Sequence, residues 1–120
     1  MNHAKQKIEE TKERIESYSL AIKEKSKAIS KAQREKFKLQ EQILFSKLTL
    51  RGSDFEIYDK VRENLNNQME ESKNLMRKID ILRNEHVALL NELEMQKDLL
   101  KIRIESYRKK WAHQKNYSPS

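Results

Sequence analysis

The sequence of 120 residues contains no cysteine, one glycine and one proline. Without cysteine, the chain has no disulfide, no thiolate metal site and no cysteine nucleophile. Average usage at this length would give roughly 8 glycines and 6 prolines, so tight turns and loops are almost excluded. Their place is taken mostly by Lys, Glu, Gln, Leu, Ile and Arg, which favour helix. We therefore expect an all-α chain.

Long apolar segments are also lacking. Hydrophobic residues make up 36% of the chain and charged residues 38%, a balance that suits long helices with most of their surface in water rather than a globular core. No apolar run approaches the roughly 18 residues of a membrane span, and the N-terminus, MNHAKQKIEETK, lacks the apolar region of a signal peptide. We expect no membrane span and an intracellular location, in the cytoplasm or nucleus.

Signatures of catalysis and of bound cofactors are missing as well. The three histidines, His3, His86 and His113, have no neighbouring ligands at metal spacing. There is no glycine-rich phosphate loop and no nucleophile elbow. A purely helical, extended chain also offers no concave scaffold on which carboxylates could converge. We expect no enzyme activity, no catalytic residue, no cofactor and no metal.

The sequence does contain a heptad repeat, in which an apolar residue returns at every seventh position. Two separate stripes of heptad positions a and d predict two coiled-coil helices, and the polar residues among them would make either helix unstable alone. In the first stripe, a is Ile8, Ile15, Ile22, Ile29, Lys36, Ile43 and Leu50, and d is Ala4, Thr11, Tyr18, Lys25, Ala32, Leu39 and Ser46. In the second, a is Tyr58, Leu65, Ser72, Ile79, His86, Leu93, Leu100 and Tyr107, and d is Val61, Gln68, Leu75, Leu82, Leu89 and Gln96.

The only glycine lies between the two stripes, in the segment LRGSDFE. A helix that ends near Arg51 favours a positive φ at Gly52, and Ser53 with Glu56 matches a capping box that begins a new helix. About three residues suffice to connect two antiparallel helices. The sequence therefore predicts an elongated antiparallel helical hairpin. The alternative is a kinked rod that pairs in parallel with another chain, which isoleucine at a positions favours.

The predicted hairpin divides the chain into four parts. They are a first coiled-coil helix over residues 1–50, a turn over 51–54, a second coiled-coil helix over 55–114 and a frayed tail over 115–120. A first helix of about 48 residues extends roughly 72 Å at 1.5 Å per residue. The second helix would complete the same distance near residue 102, so we expect an unpaired overhang from about residue 103.

Several large apolar residues lie outside the a and d positions, many of them near the predicted turn. A two-helix seam would leave them in water, and at about 1.5 to 3 kcal/mol for burying each a cluster could hold another chain. The predicted partner-binding residues are Phe37, Leu44, Phe45, Leu48, Phe55, Tyr107 and Trp111; Met69, Met76, Leu90 and Ile104 widen the second helix's apolar face. A helical partner or a second copy would complete a four-helix assembly.

Positive charge is concentrated at two places. The net charge of +7 divides into +5 over residues 1–50, −2 over 51–102 and +4 over 103–120. The first helix carries a basic ridge, spaced by three or four residues and facing away from the seam: Lys23, Lys27, Lys31, Arg34 and Lys38. The second place is a basic overhang: Arg103, Arg108, Lys109 and Lys110. An acidic surface, of protein or phosphate, would neutralise them.

These features predict a non-enzymatic coiled-coil structural or adaptor subunit that mediates protein–protein assembly in a larger complex of cytoskeletal, chromosomal or secretion type. The alternative is a basic coiled-coil protein that binds nucleic acid through the ridge, although no zinc-finger spacing and no basic region leading into a leucine zipper is present. A stalk-like subunit of a rotary or secretion machine is a third hypothesis, which no particular residue favours.

Overall fold

The computed structural model describes residues 3–52 and 54–117, and the side chains of residues 3–52, 54 and 56–112. The chain forms two α-helices, α1 (His3–Arg51) of 49 residues and α2 (Phe55–Tyr117) of 63 residues. The described residues include no strand. The helices run antiparallel, so the predicted all-α helical hairpin is confirmed and the kinked rod is wrong. Residues 118–120 of the predicted tail lie outside the described residues.

Contacts divide the hairpin into two compact units. The turn unit covers residues 25–85, and in it Ser46 Oγ donates to Gln68 Oε1 at 2.7 Å, while Lys25 forms an ion pair with Glu85. The terminal unit pairs the chain up to Glu24 with the chain from His86 onward. Within each unit the two segments are held in one antiparallel register.

All the buried residues in the described part of the chain lie at a or d of the heptad repeat, although Tyr58 and Tyr107, also assigned to a, are exposed. Ala32 and Ile79 are the most enclosed apolar residues, with 2% and 3% of their surface exposed, and Ile8, Leu39 and Leu65 are also buried. Each helix turns one narrow stripe toward the other, as a heptad period requires. The stripes at a and d therefore form the seam, which is the hydrophobic core of both units.

Some polar residues in the seam form hydrogen bonds across it, although the buried Oε1 of Gln96 has no partner. In the terminal unit, Thr11 is fully buried and its hydroxyl donates to Lys7 O at 2.7 Å. Arg103 donates to the same Thr11 oxygen and, at 3.2 Å, to Lys7 O. A buried polar group without a partner costs about 1–3 kcal/mol, so sliding one helix along the other would be penalised. These polar layers specify the register, as polar residues at a and d positions do in other coiled coils.

The turn at the end of α1 differs from the predicted one. Gly52 does not have a positive φ; its N–H donates to Thr49 O at 3.2 Å, which closes a four-residue turn over residues 49–52. At the start of α2, Asp54 O accepts from the N–H groups of Ile57 at 3.1 Å and Tyr58 at 3.0 Å. The expected left-handed glycine is therefore wrong, because α1 ends in a turn that L-residues also adopt. The predicted cap residue Ser53 lies outside the described residues.

Replacing Gly52 by alanine should leave the fold intact and raise the free energy of unfolding by about 0.4–1 kcal/mol, because alanine restricts the unfolded chain. A Cβ atom at Gly52 would approach nothing closer than Thr49 O, at 4.0 Å. Urea denaturation followed by circular dichroism measures the change. A loss of stability above about 1 kcal/mol would show that the position needs the conformational freedom of glycine.

Helix α2 begins to pair with α1 later than predicted. Residues 56–60 are exposed, and Val61 is the first described α2 residue to be partly buried. Near the other end, Arg103 contacts Lys7 and Thr11, and Ile104 is partly buried. The expected overhang therefore does not begin at residue 103. That expectation counted the first residues of α2 as paired with α1, whereas residues 56–60 are helical but exposed.

Candidate partner-binding surface

The outer face of α1 in the turn unit carries four large apolar side chains, which we call the apolar stripe. They are Phe37, Leu44, Phe45 and Leu48, with exposed fractions of 69%, 60%, 71% and 56%. They lie within about three helical turns, since each turn contains 3.6 residues. A helix that packs against one partner needs only one apolar stripe. Helix α1 therefore has a second apolar face in addition to the one that packs against α2.

The seam determines the direction in which the apolar stripe points. Leu39 is buried, and Ser46 is buried and bonded to Gln68, so both face α2. The residues of the stripe occupy heptad positions b, c and f, on the opposite side of a helix whose a and d positions are buried. The sequence prediction that these side chains would remain exposed in the hairpin agrees with their exposed fractions.

Charged residues border the apolar stripe. Glu41 lies in the middle of it and lines one shallow groove with Phe37 and Lys38. Glu41 and Lys38 also line a second groove, which contains Phe45 and, from α2, Val61. The stripe is therefore a mixed surface, in which a carboxylate and an ammonium group accompany the apolar side chains.

The basic ridge continues the same outer face of α1 toward its N-terminus. In the turn unit Lys27, Lys31, Arg34 and Lys38 are all exposed, and Arg34 Nε donates to Ser30 O at 3.4 Å. Within the described part of the chain, no acidic side chain lies at ion-pair distance from these four cations. The fifth member, Lys23, is also exposed but belongs to the terminal unit. The hairpin thus leaves the charge of the ridge uncompensated.

The outer face of α2 carries an acidic row that the sequence analysis missed. Asp59, Glu63 and Glu70 are exposed in the turn unit. Met69 and Met76 lie beside them, 42% and 47% exposed. The net charge over residues 51–102 hid this row, because the basic residues of that segment nearly balance it. The charges at heptad positions b and f, taken over residues 56–70 alone, would have revealed it, because these positions contain acidic residues there and no basic one.

The other predicted binding residues do not form one surface with the apolar stripe. Tyr107 and Trp111, 37% and 57% exposed, belong to the terminal unit, whereas the apolar stripe belongs to the turn unit. The side chain of Phe55 lies outside the described residues. Of the predicted basic overhang, Arg103 is partly buried in the seam, whereas Arg108, Lys109 and Lys110 are exposed. Of the predicted binding residues, only the stripe and four of the five ridge residues therefore lie on one helix face of one unit.

These features define a two-helix antiparallel coiled coil with an apolar and basic outer face. Comparisons with protein-family models, curated proteins and solved structures give no match for this chain. In its described residues, neither helix contains an apolar stretch that could cross a membrane. The described residues also contain no group of three His, Cys, Asp or Glu side chains that could hold a metal ion.

Proposed function

We propose that this chain is a non-enzymatic structural or adaptor subunit of the cell interior, which mediates protein–protein assembly in a larger complex through the outer face of α1. The observation that supports this most is the exposure of the apolar stripe, 56% or more at each residue. The hairpin already buries its own seam, so another chain is needed to cover a second apolar face.

The energies are consistent with an interface that also uses charge. Burying four such side chains contributes about 1.5–3 kcal/mol each, against an association cost of about 4–15 kcal/mol. The stripe alone therefore gives weak binding at best. The adjacent cations of the ridge would add affinity and orientation to a partner with acidic residues.

The test is a pair of variants of the full chain. Phe37→Glu with Leu44→Glu should weaken self-association or partner capture at least tenfold, or about 1.4 kcal/mol, because two carboxylates would be buried in the contact. Sedimentation velocity measures self-association, and pull-down with the tagged chain measures partner capture.

The matched control is Gln33→Glu with Gln40→Glu. These residues are exposed on the same helix and receive the same two charges, but they lie at heptad position e rather than in the stripe. The control should behave like the wild type. If the stripe variant retains every association of the wild type, the apolar stripe is not an interface and the proposal fails.

Nucleic-acid binding is a second candidate, favoured by the four uncompensated cations of the ridge in the turn unit. It would show as an affinity for duplex DNA or RNA that falls steeply with salt and with charge reversal at Lys27, Lys31 and Arg34. It gives the apolar stripe no role, and Glu41 would repel phosphate. Protein assembly therefore accounts for more of this surface.

A further inference from the structure

A second copy of the chain is the first occupant to consider for the outer face of α1. Pairing two α1 helices antiparallel through their stripes brings like charges together. From Lys23 to Arg51, α1 has 9 basic and 3 acidic residues. With Phe37 opposite Leu48 of the other copy, Lys38 meets Lys47 and Arg34 meets Arg51. Like charges in such positions repel, so α1 does not fit itself.

The outer face of α2 fits better, because four of its charges follow four charges of α1 with the same spacing and the opposite sign. Four exposed charged residues of α1, Lys27, Lys31, Lys38 and Glu41, have steps of 4, 7 and 3 residues; Arg34 and Glu35 are also exposed between them. Four exposed charged residues of α2, Asp59, Glu63, Glu70 and Lys73, again have steps of 4, 7 and 3 residues; Lys60, Arg62 and Glu71 are also exposed between them. All eight side chains are exposed in the turn unit.

The same alignment also places apolar residues level with one another. Shifted by 32 residues, Phe37 lies level with Met69 and Leu44 with Met76, whereas Phe45 and Leu48 lie level with Arg77 and Asp80. The two methionines are 42% and 47% exposed, and methionine adapts well to an aromatic or aliphatic neighbour. From residue 27 to residue 50, this shift places no like charges level with each other; like charges meet only beyond that range, at Glu24 with Glu56 and at Arg51 with Arg83.

We propose that the outer face of α1 docks on the outer face of α2 of a second copy, with the two helices parallel. Each α1 residue between 27 and 48 then lies level with the α2 residue 32 positions later in sequence. This proposal rests on the proposed function, in which the apolar stripe is an interface. The two docking faces are different surfaces, so the contact is heterologous. Repeating it produces a ring or an open filament rather than a closed dimer.

The experiment compares two charge-reversed variants of the full chain, alone and mixed. One variant is Lys31→Glu with Lys38→Glu, and the other is Glu63→Lys with Glu70→Lys. Each reversal should weaken self-association about ten- to a hundredfold, because two attractive pairs become repulsive. In an equimolar mixture every contact between unlike chains again joins opposite charges, so assembly should return. Sedimentation velocity across a concentration series measures all four samples.

The control is Lys97→Glu with Lys101→Glu, which reverses two exposed charges in the terminal unit and should assemble like the wild type. The alignment is wrong if either charge-reversed variant still assembles, or if mixing the two variants does not restore assembly. In that case the stripe is still an interface if Phe37→Glu with Leu44→Glu abolishes assembly. If the wild-type chain stays monomeric at every concentration, a second copy does not occupy the outer face of α1. The same conclusion holds if the monomeric chain binds anionic vesicles or duplex DNA. The proposed function then depends on whether another protein binds the wild type and not the stripe variant.

Discussion

Replacing Ile79 by alanine is expected to lower the free energy of unfolding by about 2 to 4 kcal/mol. Ile79 lies at an a position and is 3% exposed, so the substitution leaves a void in the seam. Long helices in water depend on packing of an apolar face rather than on propensity alone. A two-helix seam has few buried apolar residues, so the loss of one is a large fraction of the total.

The matched control is Ile81→Ala, two residues further along α2, where the side chain is 56% exposed. Both substitutions gain the same few tenths of a kcal/mol in helix propensity, so their difference isolates burial. Ile81→Ala should change stability by less than about 0.5 kcal/mol. Urea denaturation followed by circular dichroism compares the midpoints at constant slope. Equal losses would require α2 to be rotated about its axis, away from the observed seam.

The heptad repeat was sufficient to predict which residues are buried. The period of the apolar residues fixes the face that each helix turns inward, whatever lies opposite. Ile8, Leu39 and Ile79 could therefore be assigned to the core from sequence, and the exposure of Phe37 and Phe45 followed from the same assignment. The location of the stripe was predictable for the same reason.

The pairing register was not predictable in the same way. It depends on contacts across the seam, such as the bond from Ser46 to Gln68, and the heptad period allows either helix to slide by one repeat. It also depends on how many residues the corner uses, which propensities do not specify. The φ angle of Gly52 was missed because glycine allows several turn geometries and the sequence does not distinguish among them.

Arg103→Met should destabilise the chain by about 1 to 2 kcal/mol, although the sequence suggested an unpaired overhang where such a change would have no effect. Arg103 donates to Lys7 O and to the hydroxyl of Thr11, which is fully buried. Hydrogen bonds from a charged donor are worth about 1.5–3 kcal/mol, and the partial exposure of Arg103 reduces that value. Arg108→Met, an exposed position one turn further on, should change stability by less than about 0.5 kcal/mol.

A double-mutant cycle with Thr11→Val separates the bond from the packing of the arginine stem. Valine keeps the shape of threonine but removes the hydroxyl, so Arg103 loses one of its two acceptors. The double variant should lose less stability than the two single variants added together, by about 1 kcal/mol. Urea denaturation of the four proteins gives this coupling. If the losses of stability are strictly additive, the guanidinium is solvated and α2 is unpaired from residue 103 onward. If the two substitutions are coupled, the polar layer extends the hairpin's seam to the start of α1.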